Sequence, residues 1–144
     1  MPEDSANPNA GKLVMIVDDD DAVRELLEFV VKREGFRTAT ALNGEDGINL
    51  IRSIKPDAVI LDMMMPKYGG FEVLRSLQDG DTARIPIIII TGRHTDRTTA
   101  EMIKQESNVV DFLEKPVKPA VLVMCLHRAL GTKPKELEGA QGDL

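Results

Sequence analysis

The sequence predicts an α/β fold, a doubly wound sheet of five parallel strands with helices on both faces. Short β-rich apolar runs alternate five times with longer segments of helical period, which is the pattern of consecutive βαβ units. The runs at 58–61 and 85–90 are the most apolar, as expected of strands covered on both faces. No repeat or low-complexity block breaks the alternation.

The strands are read at 13–17, 37–41, 58–61, 85–90 and 111–113. The first helix, about 22–34, aligns Val23, Leu26, Leu27, Val30 and Val31 in one stripe, with Asp21 as its N-cap. The second, about 44–54, turns Ile48, Ile51 and Ile54 inward, although Gly47 in its interior costs about 1 kcal/mol relative to Ala. The third, about 70–78, aligns Phe71, Leu74 and Leu77. The fourth, about 96–105, has only Ala100, Met102 and Ile103 as apolar residues, which predicts a loosely held, mobile helix. The fifth starts at Pro119 and stops at Gly131, the usual residues for those positions. Its run 120–126 is apolar around more of the helix than a core stripe needs. Leu122, Cys125, Leu126 and Ala129 satisfy the core, so Val121, Val123 and Met124 are expected to be partly exposed.

A chain of 144 residues fits one domain, assigned to 12–131, with a disordered lead-in at 1–11 and a flexible tail at 132–144. The formal charge of −6 argues against a nucleic-acid surface, because phosphate contacts need clustered Lys or Arg. Cys125 is the single cysteine, so no internal disulfide forms and a reducing cytoplasm is expected. Its apolar neighbours mark it as a buried structural thiol. No apolar run is long enough to span a bilayer, and the first residues do not resemble a signal peptide.

Chemistry gathers at the strand ends. Asp62 closes one apolar run and the Asp18-Asp19 pair closes another, so two parallel strands would deliver three carboxylates to one crevice. Unit charges about 4 Å apart repel by about 4 kcal/mol at an effective dielectric of 20, so the cluster calls for a cation or a raised pKa. An all-oxygen set suits a hard divalent ion, Mg²⁺ before others. Thr91 and Lys115 end two further strands and should converge on the same place.

With the elements placed, the sequence resembles the response-regulator receiver family, the CheY-like phosphoacceptor domains of two-component signalling. The resemblance rests on Val17-Asp18-Asp19 followed by Arg24, Leu61-Asp62 followed by Met65-Pro66 and Gly70, Ile90-Thr91-Gly92, and Phe112-Leu113-Glu114-Lys115-Pro116. It covers about 12–131. It implies strand order 2-1-3-4-5 and a phosphoryl group accepted on Asp62 from a phosphohistidine of a sensor kinase or phosphotransfer protein. The implied Mg²⁺ ligands are Asp19 directly, Asp18 through water, Asp62 and the Met64 main-chain carbonyl. Lys115 would supply positive charge to the transferred group, aimed by a cis peptide before Pro116. Thr91 would be the switch hydroxyl and Phe112 the aromatic that follows it, altering the face of the fourth helix, fifth strand and fifth helix for a target protein or a second copy. Met64 and Arg93 would line the approach of water to the phosphoryl group, and bulky Met64 implies slow hydrolysis. Such a module assists its own modification and turns over no separate substrate.

Three features depart from the family pattern: Gly69 replaces a common Asp, Asn108-Val109 replaces a common Gly-Ala, and extra residues fall near 93–97. Taken singly, Asp18 to Asp21 could be a solvated cap, Thr91 a strand-end hydroxyl and Lys115 a surface lysine; their joint placement argues otherwise. His94 and His127 read as surface residues, and Met63, Met64 and Met65 as loop packing. A receiver-like module that signals by binding alone is the first alternative. A hydrolase of the haloacid dehalogenase type is disfavoured, since Met64 stands where its second Asp would be and no cap domain is available.

Overall fold

The structure, a computed structural model, describes residues 11–65, 69–92 and 97–134. Its strands are β1 (Leu13–Val17), β2 (Arg37–Ala41), β3 (Ala58–Asp62), β4 (Ile87–Thr91) and β5 (Val109–Glu114), all parallel in the order β2-β1-β3-β4-β5. The helices are α1 (Asp21–Arg33), α2 (Gly44–Ile54), α3 (Gly70–Ser76), α4 (Arg97–Lys104) and α5 (Pro119–Leu130).

Side chains alternate across a strand, and that period sorts the core into two layers. Val14, Ile16, Ile60, Ile88 and Ile90 pack on α1 and α5 through Leu27, Val31, Leu122 and Leu126. Met15, Val17, Val59, Leu61, Ile87 and Ile89 pack on α2, α3 and α4 through Ile48, Ile51, Val73, Leu74 and Ile103. Gly47 has a reason to lie inside α2, because a Cβ there would meet Val17 Cγ1 at 3.0 Å. The α4 stripe is thin as read, with Ile103 its one buried residue.

Several boundaries differ from the sequence reading. Asp20, not Asp21, caps α1, accepting from the amides of Ala22 and Val23 at 2.9 and 3.1 Å. β4 starts at Ile87, since a 3₁₀ turn at Gly80–Arg84 uses the Ile85 amide and Pro86 has none to give. β5 is longer than 111–113 because Ile87 already pairs with Val109, and a bulge then sets Ile88 opposite Asp111. α3 ends at Ser76, before the expected 78. His127 is not a surface residue: it is 4% exposed, bonded through Nε2 to Glu34 at 2.8 Å and through Nδ1 to Thr132 at 2.6 Å. His94 lies outside the described residues.

Cys125 is buried as expected. Burial first, then the carboxylate of Asp111, pushes its thiol up to about 11. A raised pKa leaves less thiolate at a given pH, and thiolate is the reactive form. Labelling with a disulfide reagent at pH 8 should therefore be about 100-fold slower in the native protein than in guanidinium. Equal rates would show that the thiol is open to solvent. No helix among the described residues is long and apolar enough to cross a membrane.

Candidate functional site

Register places the site. β1 and β3 pair Val17 with Leu61, so the next residues, Asp18 and Asp62, leave the sheet side by side. This is the point where the chain order reverses, with β2 on one side of β1 and β3 on the other. β3 and β4 pair Asp62 with Ile90, which puts Thr91 one step further along the neighbouring strand. Thr91 pairs in turn with Glu114, and its carbonyl accepts from the Lys115 amide at 2.7 Å.

Asp18 and Asp62 are each 1% exposed, while Asp19 lies open at the mouth. One carboxylate oxygen from each of the three lies within 4.8 Å of the others. The buried pair share an arrangement. Asp18 Oδ1 accepts from the Asp20 amide at 2.9 Å and Asp62 Oδ1 from the Met64 amide at 3.1 Å. Both Oδ2 atoms face Lys115 Nζ at 3.3 Å, an ion-pair distance, yet neither has a hydrogen bond of good geometry. Burial raises the Asp62 carboxyl to about 6, the Met64 amide opposing and the Asp18 charge adding to it. Burial works against the charge on Lys115, but the carboxylates of Asp62 and Asp18 outweigh it and hold the ammonium above the ordinary lysine range.

Two buried carboxylate oxygens without hydrogen bonds, beside a third exposed carboxylate, make an all-oxygen donor set that fits a hard divalent cation. Lys115 alone leaves the described cluster with more negative charge than positive.

Residues 14–127 match the family model described as response regulator receiver domain. The chain belongs to the response regulator receiver family. This receiver is 41% identical over 109 residues to the transcriptional regulatory protein AfsQ1 of Streptomyces coelicolor, covering 76% of this chain and 47% of that protein. It is 34% identical over 118 residues to Protein PilH of Pseudomonas aeruginosa, covering 81% of this chain and 96% of that one. The fold is similar to that of a response regulator receiver protein from Pseudomonas putida, with a TM-score of 0.74 and 28% identity over 81% of this chain and 96% of that one. The chain spans about half the length of AfsQ1 and of the MtrA response regulators it matches. Receiver domains are signalling modules that bind Mg²⁺ at acidic residues and interact with histidine kinases.

All five strand-end residues of the receiver, Asp18, Asp19, Asp62, Thr91 and Lys115, fall at one edge of the sheet, and Lys115–Pro116 is a cis peptide. Phe112 is half-buried against the α2–α4 core layer, with Lys104 Nζ 5.1 Å from its ring centre. Met64 is 68% exposed beside the site, while Arg93 lies outside the described residues. Two contributors go unread in the sequence. The Asp20 amide orients Asp18, and the Arg24 guanidinium donates to the Asp18 carbonyl at 3.0 Å. Arg24 is part of the family motif, but its partner is a main-chain atom that no side-chain pattern marks.

Proposed function

We propose that this receiver accepts a phosphoryl group on Asp62 from a phosphohistidine of a partner kinase or phosphotransfer protein. The observation that carries the reading is the Asp62 carboxylate, held by the Met64 amide through one oxygen, facing Lys115 with the other, and set close to the carboxylates of Asp18 and Asp19. Asp62 attacks phosphorus, the P–N bond breaks, and the electron pair leaves with the imidazole. Lys115 stands where it can stabilise charge building on the transferred group. Asp18, Asp19, Asp62 and the Met64 carbonyl are the candidate Mg²⁺ ligands. When bound, the ion screens the carboxylates from the incoming phosphate and withdraws charge from it. The Thr91 hydroxyl answers the phosphoryl group by hydrogen bonding, and Phe112 carries the change to α4 and β5. Met64 and Arg93 are assigned to limiting the access of water. The module assists its own phosphorylation and hydrolysis without turning over another substrate.

The output face is assigned to α4, β5 and α5, toward a target protein or a second copy. Met102, Val110 and Val121 are exposed apolar residues of these elements, and a groove of about 280 Å³ runs along Lys104 and Phe112. Met124 is exposed too, but it and Val123 line a different groove against Val30 and Arg33 of α1. The single buried thiol suits a reducing cytoplasm.

Intact-mass measurement after incubation with acetyl phosphate and Mg²⁺ tests the assignment. One added phosphoryl group is expected in the wild type, none in Asp62→Asn, and none in either with EDTA. An unlabelled wild type would favour signalling by binding alone, and a labelled Asp62→Asn would move the acceptor elsewhere.

A further inference from the structure

We propose that Arg24 is a positioning residue that holds the β1–α1 turn in the form that binds the metal, an inference resting on the Mg²⁺ site proposed above. Residues 18–21 are four consecutive aspartates, and like charges at such spacing drive the turn apart. Arg24 bridges them. Its Nη1 donates to the Asp18 carbonyl at 3.0 Å and its Nη2 to Asp21 Oδ1 at 2.5 Å. The arginine side chain is 15% exposed, against 81% for Asp21. A guanidinium drawn that far out of water onto a main-chain oxygen is not a surface ion pair.

Helix capping does not account for it, because Asp20 already satisfies the first amides of α1. The held oxygen belongs to the planar peptide joining Asp18 to Asp19, so fixing it fixes where the Asp19 side chain begins. The other polar atoms of Asp18 are tied as well, its amide to the Ala41 carbonyl at 3.2 Å and its Oδ1 to the Asp20 amide at 2.9 Å. The remaining oxygen, Oδ2, is the one turned to Lys115. Arg24 completes this frame and brings Asp19 to the two buried carboxylates without touching the ion.

Calorimetric Mg²⁺ titration of wild type, Arg24→Gln, Arg24→Lys and Asp21→Asn tests the assignment, with acetyl phosphate labelling rates across the same Mg²⁺ range. Arg24→Gln should weaken Mg²⁺ binding about tenfold, the effect expected when a group that orients a ligand is lost. Arg24→Lys should not restore it, since an ammonium cannot reproduce the two-point fork. Asp21→Asn removes only the outer anchor and should lose less than Arg24→Gln. Labelling by Arg24→Gln should be slow at limiting Mg²⁺ and return to within about twofold of wild type at saturation, since orientation affects binding and not the transfer step. A folded Arg24→Gln that binds Mg²⁺ like the wild type, or a labelling deficit that saturation leaves intact, would overturn the assignment. If Arg24→Gln does not fold, Arg24→Lys decides by the same criteria. A wild type that binds no Mg²⁺ overturns the metal site itself, a result distinct from equal binding by wild type and variant.

Discussion

Lys115→Ala is expected to destabilise the metal-free domain by about 3 kcal/mol, the usual cost of removing one partner from a buried ion pair. Asp18 and Asp62 stay buried in the variant, and each loses the ammonium 3.3 Å from its Oδ2. Denaturant unfolding in EDTA measures the loss directly. Saturating Mg²⁺ should recover part of it, because a cation at the same carboxylates replaces some of the missing charge. Phosphorylation should remain slow even then, since the ammonium that faces Asp62 Oδ2 and is placed to stabilise charge on the transferred group is gone. A variant as stable as wild type in EDTA would mean that the two carboxylates carry little charge in the folded protein.

Asp62→Asn should shift stability in the opposite direction. The folded Asp62 carboxyl is raised from 3.8 to about 6, so stability linked to this group is present below pH 4 and lost as pH rises through 6. At pH 7 the ionised carboxylate costs on the order of 3 kcal/mol, and the amide removes that cost. Metal-free Asp62→Asn should be more stable than wild type at pH 7 and nearly equal to it at pH 4. It should also gain less from Mg²⁺.

The site is legible in the sequence because a parallel sheet converts the end of an apolar run into a position in space. Val17 and Leu61 are both last apolar residues and are also register partners, so Asp18 and Asp62 had to meet. The sheet order comes from the family resemblance and not from the apolar runs, and given that order Thr91 and Lys115 reach the same edge through β4 and β5. Local choices among equivalents are not legible: any of four consecutive aspartates could cap α1, and only the path of the turn selects Asp20. His127 is hidden for another reason, since its partner Glu34 stands 93 residues away and no spacing rule connects them. The β5 bulge escapes because it breaks the alternation by which a strand is read, leaving Val110 exposed between Val109 and Asp111.

Gly70→Ala should damage fold and site together. A Cβ at Gly70 would lie 2.5 Å from the Asp62 carbonyl oxygen, 2.6 Å from Met63 Cα and 2.7 Å from Met63 Sδ. The first two are main-chain atoms at the tip of β3 and cannot rotate away. Either α3 moves off the sheet, uncovering Val73 and Leu74, or the β3 tip moves and carries Asp62 and its Met64 amide with it. Overpacking against backbone costs about 3 kcal/mol or more. The acetyl phosphate labelling rate should fall as well, since an acceptor displaced by about 1 Å loses on the order of 100-fold in rate. Gly69→Ala is the control. Its Cβ would come nearest Glu72 Oε2 at 3.0 Å, the far end of a flexible side chain, with the Met65 and Met63 carbonyl oxygens at 3.7 and 3.8 Å in ordinary contact, and its φ of −76° suits any residue. Gly69→Ala should therefore unfold and label within error of wild type, and a Gly70→Ala protein that does the same would show that α3 is not seated against the β3 tip.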